Sequence, residues 1–333
     1  MEELKHELEK LAKTYVDTPE KEEKILIPFI KRLLELPMKE RRKVIPTIGE
    51  LQYERGEGWM TCCDPARRRF LAAIEFISAN KREMTMAYEI DFELLCKLLQ
   101  LYRPTWLSDF INGDHSFYSF NLNYQELMQL VDLGYIKELS PKLLGQMVPW
   151  QIRIRSSNSK EEETFDSSPL LKREITLKEH IWYVFEYESN LGYLDDCAKR
   201  AYKEGITVQD ESFSAILYRF SLDGHLDRNR LLRATLSTFN RSFKKDMVNW
   251  FAGLFEELQP RAEELISLQE EIMQVFTSPY TKPVNVMLQQ LKKIASEGGF
   301  RYQEFIERAT TLFFSSPKNS LLTIYSIFEQ IVA

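Results

Sequence analysis

Apolar residues recur along this chain at intervals of three and four, the spacing that lines one face of an α-helix. In residues 2–15, Leu4, Leu8, Leu11 and Tyr15 share a face while lysines and glutamates cover the others. A second helix is predicted from about Glu20 to Leu36, carrying Ile25, Phe29, Ile30, Leu33 and Leu34. Pro28 lies inside that span and has no N–H to donate, so a kink or a later start is expected there. A third helix covers roughly Lys39 to Tyr53 and ends at Gly56 and Gly58. Asp64 before Pro65 marks the next start: the carboxylate caps, and proline sits where its missing N–H costs nothing. Phe70, Ala73, Ile74 and Ile77 then share a face, and helices follow around 91–102 and 123–133.

Residues 155–169 form the most polar run of the chain and lack helical periodicity, which predicts a surface loop or linker. The domain boundaries expected are an irregular helical region over 1–154, a polar loop or linker over 155–172, and a helical-repeat region over 173–333. In the last region helices are predicted near 176–188, 190–204, 208–221, 227–243, 246–258, 262–277, 282–296, 301–314 and 318–332. The first of these also suits a strand, because Ile181-Trp-Tyr-Val-Phe is rich in strand formers. Helical neighbours and the lack of a second strand to pair with favour helix.

The end of the chain reads as one helical hairpin written twice, thirty-seven positions apart. Val284 falls on Leu321, Met287 on Ile324, Leu288 on Tyr325, Leu291 on Phe328, Ile294 on Ile331 and Ala295 on Val332. Upstream, Leu265 falls on Tyr302, Leu268 on Phe305, Val275 on Leu312 and Phe276 on Phe313. A period in this range marks stacked helix pairs, each burying its stripe against the next. The fold class expected is all-α, a HEAT/armadillo-like α-α superhelix or solenoid.

Composition agrees with helices: glycine and proline number only 12 and 13, and 44% of the 333 residues are hydrophobic. A formal charge of −6 argues against a general nucleic-acid binder, which carries a basic excess. Cys62, Cys63, Cys96 and Cys197 follow neither a disulfide nor a zinc spacing, which suits reduced thiols. The N-terminus is charged from its second residue and no apolar run approaches the ~18 residues of a membrane span. A cytoplasmic protein without membrane contact is expected.

Little in the chain points to chemistry. His6, His115, His180 and His225 lack a second ligand at helical metal spacing, and neither a phosphate loop nor a G-x-S-x-G elbow occurs. Gly298-Gly299 suits a helix C-cap. No cofactor or metal is expected. Asp195, Asp196, Asp223 and Asp227 suit general acids or a hard-cation site, but suit helix capping better. Arg230, Arg233 and Arg241 fall within a narrow arc at 100° per residue, a candidate ridge for a partner or for phosphates, set against an ordinary solvated face. Arg67, Arg68 and Arg69 fan around their helix instead. The tryptophans 59, 106, 150, 182 and 250 suit base stacking or, more simply, filling between layers.

At Gly224-His-Leu-Asp-Arg-Asn-Arg-Leu-Leu-Arg-Ala-Thr-Leu, then Asn249-Trp-Phe and the paired hairpins, the chain resembles an uncharacterised bacterial family, the domain-of-unknown-function family numbered 6493. Its members resemble HEAT and armadillo arrays, and it has no established catalytic residues to carry over. The expected function is a non-catalytic scaffold that holds a protein partner on its concave surface. Two alternatives stay open: a nucleic-acid-binding, glycosylase-like protein using the arginine ridge, and an enzyme whose site assembles from the four dispersed aspartates.

Overall fold

Two prolines decide where the first helices break. In the computed structural model, which describes residues 2–55, 60–113, 120–154, 164–206, 211–314 and 317–332, helix α1 runs Glu2–Thr14. Pro28 has no N–H to offer, and the backbone widens just ahead of it. Glu22–Leu26 is a π-helical turn in which the Ile27 N–H reaches the Glu22 carbonyl, before helix α2 continues as Ile27–Leu34. Pro46 interrupts the next expected helix in the same way. Met38–Arg41 gives way to a 3-10 turn at Arg42–Val44, and helix α3, Ile45–Leu51, starts with Pro46 in its first turn. That helix stops short of Tyr53, which belongs to strand β1, Tyr53–Arg55; β1 pairs antiparallel with β2, Met60–Cys62. Gly56 and Gly58 lie outside the described residues.

Helix α4, Pro65–Ser78, begins as its sequence dictates, with the Asp64 carboxylate accepting from the Arg67 N–H at 3.0 Å. Phe70, Leu71, Ala72, Ala73, Ile74, Phe76 and Ile77 are all fully buried, so α4 is the core helix of its neighbourhood. It packs against α1, α2, α3 and α5, Phe92–Leu101. Helices α6, Leu107–Ile111, and α7, Tyr124–Asp132, follow; Asn123 and Glu126 form a reciprocal cap on α7. Of the three consecutive arginines on α4, Arg68 pairs with Glu89, and Arg69 with Asp91 and Asp17.

The chain forms two compact units, Met1–Leu143 and Leu144–Ala333, and the division falls within helix α8, Pro141–Trp150. The boundary read from the sequence follows residue 154. Residues 155–163 lie outside the described residues, while the rest of the 155–172 stretch has structure. Strand β4, Thr164–Phe165, pairs with β3, Arg153–Ile154, and a helical turn spans Ser168–Leu171. The apolar segment at 181–185 is helical but not α-helical: a short helix at Glu174–Lys178 tightens into a 3-10 helix, His180–Phe185. Ile181, Val184 and Phe185 are buried there, so tertiary packing outweighs the strand propensity of these residues.

The remaining helices are α9 Leu191–Lys203, α10 Phe213–Leu222, α11 Arg228–Ser237, α12 Lys245–Glu257, α13 Ala262–Gln274, α14 Thr281–Ile294, α15 Tyr302–Ala309 and α16 Lys318–Val332. From α11 to α14 they pack in a regular order, and α16 follows beside α14. Sequential helices pair, α11 with α12 and α13 with α14, and alternate helices also lie side by side: α11 with α13, α12 with α14, α14 with α16. Polar ties join each hairpin to its neighbour. Arg228 meets Glu264 through two hydrogen bonds, Arg233 pairs with Glu271, and Arg301 with Glu270. Gln269 donates to the Gly299 carbonyl at 2.9 Å and accepts from the Arg301 N–H at 2.8 Å. Gly298 and Gly299 are therefore not the left-handed cap expected of them. α14 ends earlier at Ile294, and neither glycine has positive φ.

The thirty-seven-residue match separates into two kinds of position. Met287 and Ile324 are both fully buried, as are Leu268 and Phe305, and these fill the hairpin cores. Leu288 and Tyr325 differ: Leu288 is 0% exposed and Tyr325 63%. Likewise Leu265 is 1% exposed and Tyr302 50%. The second set is buried in the earlier hairpin and exposed in the later one.

Candidate functional site

Helices α12 and α14 lie side by side, and the helical period sorts their residues into opposite faces. Met247, Val248, Phe251, Leu254 and Phe255 on one, and Val284, Met287, Leu288 and Leu291 on the other, are buried. Their other faces border an open groove of about 520 Å³, lined by Lys245, Asn249 and Glu256 from α12 and Thr281, Lys282, Asn285, Val286 and Gln289 from α14. Lys245 and Lys282 are thirty-seven positions apart, and Asn249 and Asn285 thirty-six, so the two helices present the same chemistry in nearly the same register.

Two of the lining residues are tied to α16. The Ser320 hydroxyl of α16 donates to Asn285 Oδ1, and Gln289 Nε2 donates to Thr323 Oγ1 at 3.0 Å. Lys282 passes over Gly253, its Nζ lying 3.8 Å from where a Cβ would stand. Asn249 Oδ1 is buried and has no hydrogen-bond partner among the described residues. A buried carbonyl oxygen left unpaired costs about 1–3 kcal/mol. Carboxamides donate and accept at once, which matches the alternating N–H and C=O of a polypeptide backbone. The two ammonium groups outnumber the single Glu256 carboxylate and favour an anionic guest.

The arginines singled out in the sequence are not gathered into a ridge. Arg230 lies over the Trp182 ring, its guanidinium carbon 3.9 Å from the centroid. Arg233 is held by Glu271 and by Asn229 Oδ1. Arg241 lies beyond α11 altogether, because the helix tightens to a 3-10 turn at Thr238–Asn240 and the chain extends at Arg241.

Two of the aspartates hold helix starts. Asp195 is buried on α9, accepting from the Phe213 N–H at the start of α10 and from the Trp250 indole Nε1 of α12, both at 2.7 Å. Burial pushes its carboxyl above the usual carboxylate range, against the pull of these donors. Asp196 is exposed, Asp223 follows the last turn of α10, and Asp227 caps α11 through the Arg230 N–H. Among the described residues no three His, Cys, Asp or Glu side chains gather as metal ligands do, and no helix is long and apolar enough to cross a membrane.

Trp106 packs against Phe76 and Phe110, Trp150 against Tyr193, and Trp250 against Phe213 and Phe251, so these tryptophans fill space between elements. Trp59 and His115 lie outside the described residues. The groove residues escaped notice in the sequence because single polar side chains on a helix look like solvated surface. Their signal was recurrence of Lys and Asn at nearly the offset that matched the apolar positions.

Among curated proteins and among solved structures, none matches this chain. Over residues 2–319 it matches the family described as a domain of unknown function, DUF6493, and the chain belongs to that family.

Proposed function

We propose that this protein is a non-catalytic scaffold whose hairpins from α11 to α16 form a HEAT/armadillo-like solenoid, and that it holds a protein partner in the groove between α12 and α14. The side-by-side packing of alternate helices supports the solenoid. One observation carries the binding role: two alternate helices, lying side by side, offer the same Lys and Asn pair to one groove. The guest that fits is an extended, acidic polypeptide segment, its backbone read by the carboxamides and its carboxylates by Lys245 and Lys282. A nucleic-acid guest is less well served, since Arg230 and Arg233 are already engaged with Trp182 and Glu271.

Selection of a random peptide library on the purified protein tests this. Acidic sequences are expected to be enriched, and the double variant Lys245→Glu, Lys282→Glu is expected to lose them by tenfold or more with unchanged thermal stability. Enrichment of no sequence, or enrichment indifferent to the double variant, defeats the proposal.

A further inference from the structure

Charged side chains behave differently on the two sides of these hairpins. Between α11, α13 and the start of α15 they reach across and pair: Arg228 with Glu264, Arg233 with Glu271, and Arg301 with Glu270. In the groove between α12 and α14, Lys245, Glu256 and Lys282 are all exposed, and none has an ion-pair partner among the described residues. Three charges of both signs thus share one groove and are left to a guest.

Their order along the groove is fixed by what α12 lacks at one position. Gly253 has no side chain, and the Lys282 Nζ stands 3.8 Å from where a Cβ would be. Gly253 and Glu256 are three positions apart and so are neighbours on one face of α12. The lining of α12 runs from Lys245 to Glu256, a rise of about 16 Å at 1.5 Å per residue. Lys245 stands at its start, the Lys282 ammonium reaches α12 about 12 Å further on, and the Glu256 carboxylate lies at the far end. An extended chain rises about 3.3 Å per residue, so about five residues cover that length.

Resting on the reading of the groove as a site for an extended acidic segment, we infer that the guest is bipolar. Its acidic residues lie along Lys245 and Lys282, and a basic residue about five positions from the first of them meets Glu256. The groove then takes its guest in one direction, because the reversed chain sets a cation against Lys245 and a carboxylate against Glu256. Charge complementarity of this kind sets register and partner choice more than affinity, and the repulsive pairing does as much of the selecting as the attractive one. Glu256 is the specificity-determining residue.

Two blocked hexapeptides of identical composition test this, each with five glutamates and a lysine placed either first or last. Each is used to displace fluorescein-labelled hexaglutamate from the full chain, followed by fluorescence anisotropy. The wild type is expected to prefer one isomer by about three- to fivefold, the scale of a single exposed ion pair. Glu256→Gln is expected to make the isomers equal, and Glu256→Lys to invert their order. Should the lysine variant misfold, the nearly isosteric glutamine variant decides the matter alone. Equal displacement by the two isomers in the wild type, or a preference that persists in Glu256→Gln, overturns the inference. Binding of hexaglutamate that is still lost in the double variant Lys245→Glu, Lys282→Glu would then leave the groove's role standing. Hexaglutamate that does not bind, or binds regardless of that double variant, removes both.

Discussion

Gly145 of α8 lies so close to Tyr183 that a Cβ built on it would stand 2.6 Å from the Tyr183 carbonyl oxygen. Both partners are backbone, and neither can swing aside. Gly145→Ala is therefore expected to destabilise the protein by about 2–3 kcal/mol, the scale of an overpacked core. Gly192, in the first turn of α9, has nothing within 4 Å of its own Cβ position. Gly192→Ala is expected to raise stability by about 0.5–1 kcal/mol through helix propensity. Urea unfolding of the two variants side by side checks the contrast, and equal effects would contradict it.

Asp195 ties three helices with its two oxygens. Asp195→Asn keeps one acceptor but turns an NH2 toward the other donor, at a cost of about 1–3 kcal/mol. The pH dependence is the sharper measure. A carboxyl held above its ordinary value favours the protonated form in the native state, so its contribution is present below the unfolded pKa. It is lost as pH rises through the folded one. The wild type should therefore lose relative stability over that window, and the asparagine variant should lack that slope. Denaturant midpoints measured against pH for both proteins decide it.

Glu22 opens the π-helical turn with its side chain almost wholly buried, and Lys97 of α5 approaches it at 2.6 Å. Lys97→Met is expected to cost about 3 kcal/mol, the low end for a broken buried pair, since Arg69 remains 3.7 Å from the other carboxylate oxygen. Adding Glu22→Gln should recover part of that loss, because the stranded charge is gone. Hydrogen bonds to Glu22 and Glu93 hold the Lys97 ammonium above its ordinary pKa. Its stabilisation is thus complete below the ordinary lysine range and fades as pH climbs through the raised value, a slope the Lys97→Met variant should not show.

Tyr15 packs its ring 4.8 Å from Phe70 while its hydroxyl is buried without a partner among the described residues. Burial, with Asp17 and Glu22 nearby, pushes the phenol up to about 12. Tyr15→Phe keeps the ring contact and removes an unsatisfied group, so stability should be unchanged or up to about 1 kcal/mol higher. In alkaline titration at 295 nm, the wild-type minus variant difference should appear only near pH 12. A difference centred near 10 would show the hydroxyl to be solvated.

Local signals proved the most legible. Asp64 and Asp227 cap helices as their positions imply, because a cap depends on three or four consecutive residues. Pro28 was expected to disturb its helix by a kink or a later start, and a π-helical turn precedes it. The helix carrying Arg230 and Arg233 is shorter than its periodicity suggested, for a geometric reason. A projection at 100° per residue assumes one uninterrupted helix, and the 3-10 turn at Thr238–Asn240 removes Arg241 from it. The groove was illegible for a different reason: it exists only where α12 and α14 come together, and no single helix carries it.

Each cross-tie from Arg228 to Glu264, or from Gln289 to Thr323, spans only one hairpin to the next. Tension applied to the C-terminus is then borne by one junction at a time, as in a zip fastener. Stretched in an optical trap, α15–α16 should peel away first, and the segments before them should yield in order, each with its own step in extension.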